Sequence, residues 1–482
     1  MRHRQERFLS VIGPTVDAAT VTDVDLAELP SEVTGELRTP LTRIPADTKP
    51  EELTWWDWTV FLLHTAAEIE HALMVQYLYA AYSLGERNFQ GPHVPSGAQG
   101  FVRTWRSKIV GIAMEEMGHL ITVQNLLRLI GAALNFERED FPFRTLYPFH
   151  FQLEPLTKDS LAKYVAAEMP ANPDESDELM REIRERATGS AGGLNVNRVG
   201  PLYAELGAIF REPKKLSDND LFPDTAESFQ AKEEEWHGGD PIIIRPLRSR
   251  DDAVKALDEI GEQGEGLGQP NDDTTSHFGR FIQIYKGKPP MPGIPPYPDT
   301  NDWIPFRPVP TNPNTLIPAP SSDDHLEDGR ITHRVSRLWA QLSNVRYRML
   351  LLSIAHALCL EGEPFSVPWR TMRGNLRDWA FLEMHGQLRA GLKGISKKLV
   401  QLPLKAEGSS QERAAALPFE LPYTLVLPDR EPDRWRLHLA LITSARGLIE
   451  KIEEASGSDD LLVELKEIDL QKQRVIDPKT QS

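Results

Sequence analysis

The sequence predicts an all-α protein built around a four-helix bundle with a long crossover and an additional C-terminal helical region. First, apolar residues recur at spacings of three and four along 54–83 and again along 101–134, which is the period of a helix. Second, another pair of such segments follows the mixed stretch 136–200. Helices joined by short loops pack antiparallel, and one long connection between two such pairs is an established bundle topology.

The first helix pair has a recognisable beginning. Thr54 is followed three residues later by Asp57, a capping-box signature that predicts a helix over about 57–83. The glycine- and proline-containing segment 91–100 predicts a loop. The second long helix is therefore predicted over 101–134.

The second helix pair is less regular. Within 136–200, FPFRTLYPFHFQLEP is predicted to be extended, DSLAKYVAAEMP to form a short helix, and the remainder is polar. The third bundle helix is predicted to begin near Val199, and the fourth to cover 249–266 and to resume at 276–285. This organisation matches a ferritin-like four-helix bundle.

The composition along the chain predicts four regions. Residues 289–320 contain 12 of the 38 prolines, a density that excludes a helix and predicts a linker. Helical patterns return beyond it. The predicted regions are an N-terminal arm (1–53), the bundle with its crossover insertion (54–285), the proline-rich linker (286–325) and a C-terminal helical region (326–482).

The composition also limits the partners and the kind of metal site. With 54 Lys and Arg against 71 Asp and Glu, the net charge is −17, so neither nucleic acid nor an anionic membrane is an expected partner. No apolar run is long enough for a signal segment or a membrane span, which predicts a cytoplasmic protein. Because Cys359 is the one cysteine, a metal site would need carboxylate and imidazole ligands.

Two helices of the first pair place acids on apolar faces. Glu70 shares its face with residues such as Leu63, Leu73 and Tyr77, where an unpaired charge would be costly to bury. Glu116 lies on the apolar face of the next helix, and His119 follows one turn later. The Glu-x-x-His spacing lets both side chains reach one metal or a metal pair in a bundle core.

Not every acid of these helices is expected in the site. A lone Glu-x-x-His is usually solvated, and Glu68 and Glu115 exemplify that ordinary case, since Glu68 points away from the apolar stripe and Glu115 lies at its edge. The role of Tyr77 stays open between packing and a hydrogen bond to a metal-bound carboxylate.

The second pair must supply the matching ligands of a dinuclear site. Glu205 is the expected counterpart on the third helix, with Glu168 as the alternative. On the fourth helix Glu265 is favoured over Glu262, because it projects nearer the apolar seam. His277 would complete a Glu-to-His motif interrupted by a loop, so that the helix breaks and re-enters beside the metal.

Several motifs together resemble a known family. EIEHALMVQY and EEMGHLITVQNLL are similar to the first two helices of bacterioferritin-type di-iron proteins, and YAELGAI and EQGEG…SHF fit the other two. Taken with FQLEPLTKDSLAKYVAAEMP, they resemble the ferritin-like domain family of iminophenyl-pyruvate dimer synthases and their stand-alone relatives, over 54–285 and more weakly over 330–456. That resemblance implies specialised metabolism of aromatic imines derived from amino acids.

These observations predict an enzyme, a di-iron oxidase or oxygenase. Two iron ions, with manganese as the alternative, would activate O2 to oxidise or couple a small aromatic metabolite. The use of an electron donor and the formation of a homo-oligomer stay open. The rivals are an imine-coupling dimer synthase and a non-catalytic metal-binding or scaffold protein. The expected metal ligands are Glu70, Glu116, His119, Glu205, Glu265 and His277, of which Glu70, Glu116 and His119 are also the expected catalytic residues.

Overall fold

A computed structural model gives the fold of most of the chain. The residues that it describes are 49–138, 147–149, 151–173, 176–193, 196–232, 244–265, 275–287, 295–315, 328–361, 371–384, 390–406, 413–421 and 425–480. The predicted arm therefore lies almost entirely outside the described residues.

The described part of the chain is helical, and its β contacts are isolated bridges such as that between Leu84 and Phe306. This is the predicted all-α class. The α-helices are α1 (Trp55–Ser83), α2 (Ala98–Leu129), α3 (Lys158–Ala167), α4 (Asp177–Ser190), α5 (Gly200–Arg211), α6 (Pro223–Phe229), α7 (Arg250–Glu265), α8 (His277–Lys286), α9 (Arg334–Ala357), α10 (Met372–Met384), α11 (Gly391–Leu399), α12 (Glu431–Ser456) and α13 (Asp460–Ile476).

Helices α1 and α2 form the predicted antiparallel pair. Thr54 caps α1 through the predicted capping box with Asp57. Trp56, at the start of α1, donates a 2.9 Å hydrogen bond to the carbonyl of Ile130, just past the end of α2. Arg106, early in α2, donates to the carbonyl of Leu84 beyond the other end of α1 at 2.6 Å. The two helices thus run in opposite directions.

The second pair closes the bundle. Helix α5 packs against α7 and also contacts α1, while α7 and α8 both contact α2. The fourth bundle helix is divided as predicted, since α7 ends at Glu265 and α8 begins at His277. The crossover contributes α3 and α4, and α3 packs on α8. Helix α4 was not predicted, because its sequence is mostly polar.

Helix α1 is the centre of the molecule. Every residue from Thr65 to Ser83 is buried, which is expected of a helix enclosed on all sides. The face of α1 that points away from the bundle packs against segments that lie far along the chain. His71 contacts the hydroxyl of Tyr347 on α9, Tyr79 donates to the carbonyl of Pro310 at 2.5 Å, and Tyr82 donates to the carbonyl of Met384 on α10 at 3.1 Å.

Candidate metal centre

Five ionisable side chains from four helical elements meet in the interior of the bundle. Glu70 lies midway along α1, and Glu116 and His119 lie one turn apart on α2. Glu168 is the C-cap residue of α3, and His277 is the first residue of α8. Each of the five is at most 3% exposed. Burying this many charges without compensation would be strongly unfavourable, so their convergence calls for a functional explanation.

One half of the cluster is built around His119. Its Nδ1 lies 2.9 Å from Oε2 of Glu116 and 3.3 Å from Oε2 of Glu70. Three potential ligand atoms therefore face one another in this half.

The other half is built around His277. Its Nδ1 lies 3.1 Å from Oε1 of Glu116 and 3.7 Å from Oε2 of Glu168. Glu116 thus presents one oxygen to each imidazole, which is how a bridging carboxylate serves two metal ions. Glu70 and Glu168 occupy equivalent positions as terminal carboxylates of the two halves.

Residues around the cluster form hydrogen bonds with the carboxylate oxygens that do not face its interior. Tyr203 donates to Oε1 of Glu70, and Tyr77 donates to Oε1 of Glu168 at 2.6 Å. Each terminal carboxylate is thereby oriented by a tyrosine and presents its Oε2 to the interior.

The two imidazoles are supported in the same way. Nε2 of His119 lies 2.8 Å from Oε1 of Gln263 on α7, and Nε2 of His277 lies 2.9 Å from Oε2 of Glu115. Glu115 in turn accepts hydrogen bonds from Arg280. Metal-bound histidines usually donate their second N–H to such an acceptor, which leaves the other ring nitrogen free to bind the ion.

The residues present fit a metal group. Oε2 of Glu70, Oε1 of Glu116 and Nδ1 of His277 are buried and have no hydrogen-bond partner of proper geometry among the described residues. Ligand atoms of Glu116, His119 and His277 all lie within 4.8 Å of one another. A small cavity of about 10 Å³, about the size that holds one water molecule, lies among these side chains and is too small for an organic molecule. Buried lone pairs of this kind are satisfied when a cation binds them.

The cluster balances its charges with protons when no metal is bound. Burial, and then the adjacent Glu116, raise the pKa of Glu70 to about 7. Although burial opposes it, the hydrogen bonds to Glu116 and Glu70 raise the pKa of His119 to about 10. Against the same opposition, Glu116 and Glu115 raise the pKa of His277 well above its ordinary value. A divalent cation would replace these protons, since metal ligands must be deprotonated.

The structure brings together four of the six residues expected as ligands: Glu70, Glu116, His119 and His277. Glu205 is only partly buried and does not line the cavity, so that expectation needs correction. The reason is the helical rotation of about 100° per residue. Tyr203 faces the cavity, so Glu205, two positions later, points about 200° away from it. Glu168, the alternative, lies in the cluster instead. The side chain of Glu265 is outside the described residues, and Glu262 is exposed.

Two other expectations differ from the structure. Glu68 and Glu115, predicted to be ordinary solvated acids, are both buried. Glu68 accepts hydrogen bonds from Tyr147 at 2.5 Å and Asn135 at 3.0 Å, whereas Glu115 supports His277. Both partners of Glu68 are distant in the sequence, and the periodicity of a single helix carries no signal of them. Tyr203 and Gln263 escaped prediction for the same reason.

Comparisons with known proteins identify a family model and a relative to which the chain is similar. Residues 63–286 match the family model described as Ferritin-like, which confirms the resemblance and the fold predicted from the sequence. The chain is also 26% identical over 388 residues to dichlorochromopyrrolate synthase of Lentzea aerocolonigenes, covering 74% of this chain and 35% of that protein. It therefore spans about a third of the length of this relative.

A solved structure of a ferritin-like protein from Caulobacter vibrioides is 15% identical, with a TM-score of 0.33, and covers 67% of this chain and 94% of that one. Among the helices of the described residues, none combines the length and apolar character needed to cross a membrane.

Proposed function

We propose that the buried cluster within residues 63–286, the region that matches the Ferritin-like family model, binds two iron ions for the oxidation of a small organic substrate by O2. The observation that carries the proposal is the arrangement around Glu116, whose two oxygens face the Nδ1 atoms of His119 and His277. Glu70 and Glu168 would be the terminal ligands. Oxygen and imidazole ligands suit iron and also manganese.

When bound, the metal pair supplies the electron transfer that reduces O2. The protein supplies the positions of the ligands. Gln263 and the Glu115–Arg280 pair hold the outer N–H groups of the two imidazoles, and Tyr77 and Tyr203 hold the outer oxygens of the terminal carboxylates. Such fixed supporting contacts keep ligand geometry constant while the charge of the site changes.

The substrate class follows from similarity. We propose a small aromatic metabolite derived from an amino acid, because a relative that aligns over 388 residues is named dichlorochromopyrrolate synthase. The reaction would be an oxidation, an oxygenation or an oxidative coupling in which O2 is the electron acceptor, with an external electron donor where the reaction requires one. The fit of the site supports metal binding, and the similarity supports the choice of substrate.

A second candidate is an imine-coupling reaction that does not use the metal pair. It is favoured by the same similarity, which extends over 74% of the chain and so beyond the ferritin-like region. The two candidates differ in one measurable property, the dependence of product formation on bound metal.

Metal analysis after anaerobic loading with Fe(II) tests the proposal. We expect about two irons per chain in the natural protein, as in carboxylate-bridged bundles, and their loss in Glu116→Ala. Glu205→Ala is the matched control, because this partly buried acid lies outside the cavity, and it should retain both ions.

The absence of bound transition metal after loading would contradict the proposal. Coupling of an aromatic 2-imino acid at the same rate by metal-free protein would instead favour the second candidate.

A further inference from the structure

A large cavity among the described residues lies away from the candidate metal centre. It has a volume of about 580 Å³, within the range of pockets that enclose small organic ligands. Its walls come from three parts of the chain: the end of α1 with the loop after it, one face of α2, and α11 with the residues that follow. Arg307, from the predicted linker, closes another side.

The charge of this cavity is opposite to that of the protein. One acid, Glu86, lines it together with six cationic side chains, whereas the whole chain carries a net charge of −17. Side chains of like charge that line a concave surface strengthen the local electrostatic field and attract ions of the opposite charge. The six cationic residues are Arg87, Arg103, Arg106, Arg307, Lys393 and Lys397.

The cations repel one another. Burial, and then Arg307 and Arg103 against the opposing effect of Glu86, lower the pKa of Arg106. Burial, followed by Lys397 and Arg106, lowers the pKa of Lys393. Glu86 lies 3.0 Å from Nζ of Lys397 and 3.7 Å from Nη1 of Arg106, so this single carboxylate is already shared. An anionic ligand would relieve the remaining repulsion.

The cavity also offers apolar surface. Leu84, Val110, Met114 and Val400 line it beside the cations, together with the ring of Tyr82. A bare inorganic ion would leave these side chains without contacts. The combination suits a ligand that has an apolar framework and several acidic groups.

This cavity and the metal centre lie on different sides of α2. The residues of α2 that line the cavity follow one stripe at spacings of three and four, from Arg103 through Val110 to Met114. At about 100° per residue, Glu116 and His119 lie on the opposite side of that helix. The cavity is thus a separate site that the proposed function does not use.

We propose that this cavity binds an organic anion with an apolar ring and at least two negative charges, carried either by carboxylates or by a phosphate. The guanidinium groups of Arg103 and Arg307 would bind the acidic oxygens, since a planar guanidinium can donate two parallel hydrogen bonds to such a group. The apolar stripe of α2 would contact the ring.

Isothermal titration calorimetry on the full chain tests the proposal. The probes are naphthalene-2,6-dicarboxylate, phenyl phosphate, benzoate and inorganic phosphate, and the first two separate carboxylate from phosphate recognition. We expect one ligand per chain and at least about tenfold tighter binding of the dicarboxylate or the phenyl phosphate than of benzoate or inorganic phosphate. Binding should weaken as NaCl is raised.

Substitutions of the arginines that line the cavity test whether the ligand binds there. Arg103→Gln and Arg307→Gln should each weaken the tighter ligand by at least about tenfold, whereas Arg103→Lys should weaken it less. Arg181→Gln is the matched control, because Arg181 is an exposed arginine on α4 outside the cavity, and it should change nothing.

Three results would overturn the proposal: no binding of any probe, equal binding by both glutamine variants and the natural protein, or inorganic phosphate binding as tightly as the organic acids. The titration is repeated after a chelator has removed metal. Unchanged binding is expected there, so a failure of the metal proposal and a failure of this one are distinguishable.

Discussion

His277 lies between two carboxylates, with Nδ1 3.1 Å from Oε1 of Glu116 and Nε2 2.9 Å from Oε2 of Glu115. Arg280 holds Glu115 in place through both of its carboxylate oxygens. The inner contact belongs to the candidate ligand set, and the outer contact fixes which ring nitrogen faces the candidate metal site.

Glu115→Gln tests this division of roles. The amide has one acceptor instead of two and brings a donor towards Arg280, so His277 should lose its fixed orientation. We expect a loss of about 10- to 100-fold in affinity for one of the two metal ions. Fe(II) titration should then show that one of the two sites is weakened, whereas Glu262→Gln, a change at an exposed residue, should leave both sites as in the natural protein. Two unaltered sites in Glu115→Gln would contradict this role.

Tyr77→Phe tests the support of Glu168. Removing the hydroxyl leaves Oε1 of this buried carboxylate without its donor, which should lower the free energy of unfolding by about 1–3 kcal/mol. Tyr164→Phe is a matched control, because the Tyr164 ring lies 4.9 Å from that of Tyr77 and its buried hydroxyl has no hydrogen-bond partner in the described part of the chain. Urea denaturation measures both. Equal losses in the two variants would show that the hydrogen bond is unimportant.

A buried ionic network stabilises the C-terminal helices. Arg346 is fully buried and donates to both oxygens of Asp469 at 2.6 Å. Asp469→Asn leaves a buried guanidinium only partly compensated and should lower the free energy of unfolding by about 3–5 kcal/mol.

The control is the surface pair of Arg211 and Asp258, whose side chains are 49% and 52% exposed. Asp258→Asn should change the free energy of unfolding by at most about 1 kcal/mol. Denaturant titration of both variants gives the comparison, and similar small changes in the two would argue against the importance of burial.

Two buried histidines should make the protein sensitive to acid. Burial, and then Arg434 and Lys479, lower the pKa of His356 to about 3, and burial followed by the neighbouring His356 lowers that of His438 well below its ordinary value. The unfolded chain binds these protons near pH 6.5, whereas the folded chain does not. The free energy of unfolding should therefore fall as the pH drops from about 6.5 towards 3, by up to about 1.4 kcal/mol per pH unit for each histidine.

Urea titrations at several pH values measure this slope. His356→Leu should reduce the slope, because that side chain takes up no proton on unfolding. An unchanged slope in the variant would assign the acid sensitivity to other groups.

The candidate metal centre could be predicted from the sequence only where the pattern of a single helix reveals a ligand. An acid on an apolar face, as for Glu70, and an acid with an imidazole one turn later, as for Glu116 and His119, are visible in local spacing. Glu168 is harder to identify, because it lies at the end of a short crossover helix and approaches the centre only through the packing of α3 on α8. Glu205 has the apolar neighbours of a ligand, but the register of α5 points Tyr203 inward instead.

The contacts of α1 with distant segments bear on how the chain can be divided. The family match ends at residue 286, whereas Nε2 of His71 and the hydroxyls of Tyr79 and Tyr82 have their polar partners beyond it. A chain cut at that point would remove the partners of two phenols of the central helix and of one ring nitrogen of His71, which is adjacent to Glu70, while Nδ1 of His71 would keep its contact with the carbonyl of Glu137. The bounds of the family match are therefore not the bounds of a self-contained structure, and we expect the unit of cooperative folding to include the C-terminal helices.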